Sequence, residues 1–188
     1  MRPSGGFLLR FFALAAVLFA LWSFAGLGDA YGRLTIALAG PLVRLSSGFA
    51  IDRVVATPKG LDVFIRRDQL VELMPLQPRE VFSGLIPFLA LLGASTVVPW
   101  RRRLRAAAIG VAALLAFHMG LVLLGPYMTG YPQAQLGQWW MRRINSAINV
   151  FYGFYGLVGY AALPFILWWV LVQRHAQAAA GAAPPRRV

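Results

Sequence analysis

Along the chain, long apolar runs alternate with short polar interruptions, and four of those runs approach the length that a helix needs to cross a bilayer. Such a helix takes about 20 predominantly apolar residues. The runs occupy residues 11–27, 81–98, 106–124 and 147–172. The first follows Arg2 and Arg10, and the second carries Pro87 in its first half. The third follows Arg101, Arg102, Arg103 and Arg105, and the fourth ends at Gln173-Arg174-His175. The pattern predicts a membrane all-α fold, a four-transmembrane-helix bundle. A basic start with an apolar core also describes a cleaved signal peptide. The first run is longer than a signal-peptide core, and Ala-Gly-Leu-Gly-Asp-Ala is a poor cleavage site, so a retained anchor is expected.

Between the first two runs the period changes. From Leu34 onward, Leu34, Ala37, Leu38, Pro41, Leu42 and Leu45 share one helical stripe, with Arg33, Thr35, Arg44, Ser46 and Ser47 opposite and Ile36 out of pattern. This spacing predicts an amphipathic helix on the outer membrane–water interface. Packing against the bundle would produce the same pattern, and the sequence leaves both open. A β-hairpin is expected next, around Thr57-Pro58-Lys59-Gly60, with Pro and Gly where a type I turn favours them. Pairing 57 with 60 continues as 56 with 61, 54 with 63 and 52 with 65. One face then carries Val54, Ala56, Leu61, Val63 and Ile65. That face must rest on something, since an isolated hairpin is marginal in water.

The chain thus divides into residues 1–29, the N-terminal cytoplasmic end and first helix; 30–78, the small extracytoplasmic helix and hairpin; 79–175, the remaining three helices; and 176–188, a tail. The tail, AQAAAGAAPPRRV, has nothing to bury and is expected to be disordered.

Composition supports a membrane reading. Hydrophobic residues make up 59% of the 188 residues and charged ones only 13%, about half the share usual in soluble domains. The net charge of +12 raises nucleic-acid binding, but the arginines sit beside apolar runs, as membrane-edge anchors do. No nucleic-acid partner is expected. Placing the Arg101–Arg105 cluster in the cytoplasm puts both termini there, and all six acids (Asp29, Asp52, Asp62, Asp68, Glu72, Glu80) on the other side. That is the charge asymmetry of a multi-pass protein of a bacterial cytoplasmic membrane.

Candidate chemistry is sparse. The chain has no cysteine and two histidines, His118 and His175, which excludes thiolate chemistry and a multi-histidine metal cage. His118 is the ionisable residue well inside a span, where such groups are functional hypotheses by default. No carboxylate inside a span partners it, so packing is the plainer reading. Trp139, Trp140, Arg142 and Arg143 precede the fourth run as an interfacial aromatic belt, with lipid-headgroup or acidic-peptide binding as the functional alternative. Asn145, Asn149 and Tyr152 add polarity to that run, and Gly153, Gly156 and Gly159 repeat every three residues as a helix-packing face. Pro164 lies beyond that face and can kink the helix. Ser83, Ser95 and Thr96 have no catalytic motif around them. No catalytic residue, metal or cofactor is expected.

The order of segments resembles the exosortase H-associated membrane proteins, small companions of a bacterial exosortase. The resemblance runs through the basic N-terminal anchor, the amphipathic stretch 34–45, the β-like segment 51–67 and the proline-containing Gly84-Leu85-Ile86-Pro87-Phe88-Leu89-Ala90-Leu91-Leu92, then the basic turn and two further runs. It covers about residues 8 to 175. It implies participation in sorting proteins that carry a C-terminal membrane anchor, with an exosortase-like enzyme and the bilayer as partners. Exosortase chemistry is expected from a cysteine, which this chain lacks, so the resemblance implies an accessory subunit. Two alternatives come from other classes. One is a small transporter or lipid-binding protein using His118 and the Asn145/Asn149 face. The other is a lipid-directed membrane enzyme using Arg142, Arg143 and His118.

Overall fold

The computed structural model describes residues 5–47, 50–58, 60–67, 69–96, 98–129, 146–147, 150, 153–155 and 160–173. Helix α1 (Gly5–Phe24) is apolar apart from Arg10 near its start and Ser23 near its end, and turns at Ala25-Gly26 into α2 (Leu27–Ser47). Three strands follow: β1 (Ala50–Thr57), β2 (Gly60–Arg67) and β3 (Leu70–Leu76). A single turn, α3 (Pro78–Val81), precedes α4 (Leu85–Ala94). Helix α5 (Trp100–Thr129) is the longest; α6 (Tyr160–Trp168) runs on into a wider π-helical turn, Trp169–Gln173.

Two of these helices are long and apolar enough to cross a membrane, α1 and the Trp100–Gly125 part of α5. The expected four-transmembrane-helix bundle is therefore corrected. Within the second run, the turn at residues 82–84 leaves α4 with ten residues, about 15 Å of helix against about 30 Å of hydrocarbon. Helix α4 is also buried around most of its circumference, through Leu85, Ile86, Phe88, Ala90, Leu91, Leu92 and Ala94. It is a core helix rather than a lipid-facing one. The fourth run, 147–172, is interrupted by residues outside the described ones (148–149, 151–152 and 156–159), and its described apolar helix, Ala162–Val172, is likewise short. The basic cluster is not in a turn: Arg101, Arg102, Arg103 and Arg105 form the first turns of α5. The tail, residues 176–188, lies outside the described residues.

Side-chain contacts set the direction of the helices. At one end, Arg10 of α1 donates from Nη1 to Thr96 Oγ1 (2.8 Å), Arg103 of α5 donates to the Gly93 carbonyl (3.5 Å), and the Phe7 and Trp168 rings meet at 6.1 Å. At the other, Trp22 of α1 and His118 of α5 both pack on Tyr31. The two long helices thus run the same way, and α4 brings the chain back between them. Glycines let the packing close. A Cβ at Gly110 would overlap the fully buried Phe88 ring, and one at Gly125 would overlap the Met74 sulfur that seats β3 on α5.

The sheet is antiparallel in the order β1-β2-β3, so the expected hairpin is two-thirds of a larger element. The register matches expectation at Thr57–Gly60, Ala56–Leu61 and Val54–Val63, then slips: Ile51, not Asp52, faces Ile65. A bulge between Ile51 and Arg53 causes the slip. It aligns Ile51 with the inward face and leaves Asp52 to pair with Arg66. Leu61, Val63, Ile65, Met74 and Leu76 make that buried face. Strand β3 contains Pro75, tolerated because β3 is an edge strand.

Helix α2 turns its leucine stripe away from the body, so of the two expected placements the stripe does not pack on the bundle. Gly28, Gly32, Thr35, Ile36, Ala39 and Val43 point inward, whereas Leu34, Leu38, Leu42 and Leu45 are exposed. Small residues allow close approach: a Cβ at Gly32 would come within 2.6 Å of Pro78. Ile36, out of pattern in the sequence, is a core residue.

Candidate functional site

Tyr31 occupies the first turns of α2, two residues after Asp29. Gly32, on the buried face, lets this part of α2 approach Pro78 closely, and Tyr31 packs among Trp22 of α1, Phe82 in the turn before α4 and His118 of α5. Its ring packs against Trp22 at 5.5 Å and edge-on to Phe82 at 5.6 Å and His118 at 5.7 Å. Its hydroxyl lies 2.9 Å from His118 Nδ1. Phe82 covers the imidazole at 4.7 Å, and Phe117 carries the stack on to Tyr155 at 4.4 Å. Burial pushes the Tyr31 phenol up to about 12, only partly opposed by the Thr35 hydroxyl. A neutral phenol and imidazole share a single proton across this contact, donated by oxygen or nitrogen according to the tautomer.

His118 is 2% exposed. Among the described residues no three His, Cys, Asp or Glu groups gather as metal ligands. What the arrangement can do chemically is satisfy one buried imidazole nitrogen and fix the crossing of α2 on α5. The sequence singled out His118 but not Tyr31, which arrives from 87 residues away. An aromatic next to the glycines of α2 is the signal that could have flagged it.

A second polar knot ties the opposite end. Ser95 donates to the Leu91 carbonyl at 2.7 Å and accepts from Trp168 Nε1 at 2.9 Å. Arg103, its guanidinium 5.3 Å from the Trp100 ring centre, approaches the Gly93 carbonyl. The carbonyls at the end of α4 are thus met by a hydroxyl and a cation, both favourable at a helix C-terminus. A groove of about 330 Å³ lies elsewhere, at the β1–β2 turn, with Asp62 among its described lining residues.

Of the other residues that the sequence singled out, Trp139, Trp140, Arg142, Arg143, Asn145, Asn149, Tyr152, Gly156 and Gly159 lie outside the described residues. Gly153 is described and exposed; nothing stands within 4 Å of a Cβ built there. No family model, curated protein or solved structure matches the chain.

Proposed function

We propose that the chain is a membrane-embedded accessory protein that scaffolds a partner enzyme and carries no reaction itself. One observation carries this reading. Among the described residues, the buried polar side chain of Thr35 bonds within α2, whereas Ser95 joins α4 to α6 and His118 joins α5 to α2, while α1, α5 and α6 turn large apolar side chains outward. Leu9, Phe12, Val17, Ile109, Phe165 and Ile166 are all exposed. Polar groups held this way tie helices together, and apolar faces of this extent need lipid or another protein to cover them.

The resemblance in segment order supplies the class of partner, an exosortase-type enzyme of the bacterial cytoplasmic membrane. The gathering of Arg10 and the α5 arginines at one end supports a cytoplasmic location for that end. The sheet end then faces outward, where it can shape a substrate entrance. The transport alternative draws no support from His118, which is closed in by Tyr31 and Phe82.

Co-expression with an exosortase-type enzyme, followed by extraction in mild detergent, tests the reading. A stoichiometric complex supports it. A chain that stays alone and monodisperse beside the enzyme overturns it.

A further inference from the structure

Helix α2 has three faces rather than two. The inward arc, Gly28, Gly32, Thr35, Ile36, Ala39 and Val43, is filled by the body of the protein. On the outward arc, Leu34, Leu38, Leu42 and Leu45 are 50%, 44%, 42% and 85% exposed. At 100° per residue these four span roughly 80° of the helix. Arg33 and Arg44 are eleven residues apart, about three turns, and so share one line that lies on neither arc. Both are exposed. A helix facing water would carry polar groups along the leucine arc.

The start of α2 is fixed by α1. Helix α1 has 20 residues, about 30 Å and so about one hydrocarbon thickness. It ends at the exposed Phe24, and Gly26, at φ 75°, turns the chain into α2 at once. If α1 crosses the bilayer, α2 begins at its edge. There the leucine arc matches the acyl boundary and the arginine line matches phospholipid phosphates.

We propose that α2 lies in the bilayer surface, with Leu34, Leu38, Leu42 and Leu45 in the acyl boundary and Arg33 and Arg44 on lipid phosphates. The sheet is thereby held against the membrane. This rests on the membrane reading above but adds to it, because a crossing α1 is compatible with an α2 that stands in water. An interfacial helix of this kind buries its apolar face about 5–10 Å deep.

The absence of cysteine makes single-cysteine spin labelling clean. Labels replacing Leu38, Leu42 and Arg44, with reference labels replacing Val17 of α1 and Ile109 of α5, are reconstituted in phosphatidylcholine–phosphatidylglycerol nanodiscs. Accessibility to oxygen and to a nickel chelate is then measured. The proposal expects an oxygen-to-nickel ratio several-fold higher at 38 and 42 than at 44. It also expects Arg33→Gln with Arg44→Gln to lower the ratio at 38. Lipid-like references with water-like values at 38 and 42 overturn the proposal and leave the membrane reading intact. Shielding of 38 and 42 from both reagents, as by a second copy of the chain, overturns it too. Water-like references overturn the membrane reading and this proposal together.

Discussion

The hydroxyl of Tyr31 sits 2.9 Å from Nδ1 of His118 and joins the first turns of α2 to the far part of α5. Removing one partner strands the other in a buried place, which costs about 1–3 kcal/mol, whereas removing both costs far less. Tyr31→Phe should therefore lower the thermal midpoint in detergent, and His118→Leu should do likewise. The double variant should recover part of the loss. Additive losses would mean that the contact carries no coupling.

The same contact has an alkaline signature. The fold keeps the Tyr31 proton up to about 12, above the ordinary value of 10. The stability linked to this group is therefore complete below pH 10 and declines as pH rises from 10 towards 12. Phenolate absorbance should show one tyrosine titrating late, and Tyr31→Phe should abolish that late step. Acidification from pH 9 to 6 should leave Tyr31 unchanged.

Three glycines of α5 give opposite results on one helix. Gly110→Ala drives a Cβ into the closed Phe88 ring, and overpacking of this kind costs about 1–3 kcal/mol. Gly125→Ala meets the flexible Met74 side chain and should cost less. Gly120 has open space around it, so Gly120→Ala should stabilise by roughly 0.5–1 kcal/mol through helix propensity. Thermal melts of the three variants rank them.

At the basic end, Ser95 links Trp168 to the last turn of α4. Ser95→Ala leaves the indole N–H without its acceptor and should cost about 1–2 kcal/mol. Ser95→Ala combined with Trp168→Phe should cost less than the sum of the two, because both remove one link.

Local pattern made much of this architecture legible. Helices α1 and α5 stand out by length and apolarity, and the turn chemistry at Thr57–Gly60 sets the hairpin register up to Val54. What escaped depends on tertiary partners. The bulge at Asp52 shows only once Ile65 needs an apolar neighbour and Arg66 a carboxylate. Strand β3 is disguised by Pro75, which becomes acceptable at a sheet edge.

Helix α2 shows the limit most clearly. Its leucine stripe is legible, but which side meets the body is not: the inward face mixes the small Gly28, Gly32 and Ala39 with Thr35, Ile36 and Val43, out of any simple stripe. The failure of the second run is of the same kind. Hydropathy reads 81–98 as one segment, whereas the turn at 82–84 and Ser95 divide it into a short, enclosed helix. In the candidate site, a histidine inside an apolar run is visible in the sequence, but its tyrosine partner, 87 positions away, is not.

The central claim is that the basic end and the sheet end lie on opposite sides of a membrane, with α1 and α5 between them. Single cysteines replacing Arg102 and Val55, both exposed, test it when spheroplasts are treated with a membrane-impermeant maleimide. The account predicts labelling of the Val55→Cys protein in intact spheroplasts and of the Arg102→Cys protein only after permeabilisation. Equal labelling of both in intact spheroplasts, or recovery of the protein in the soluble fraction, would contradict it.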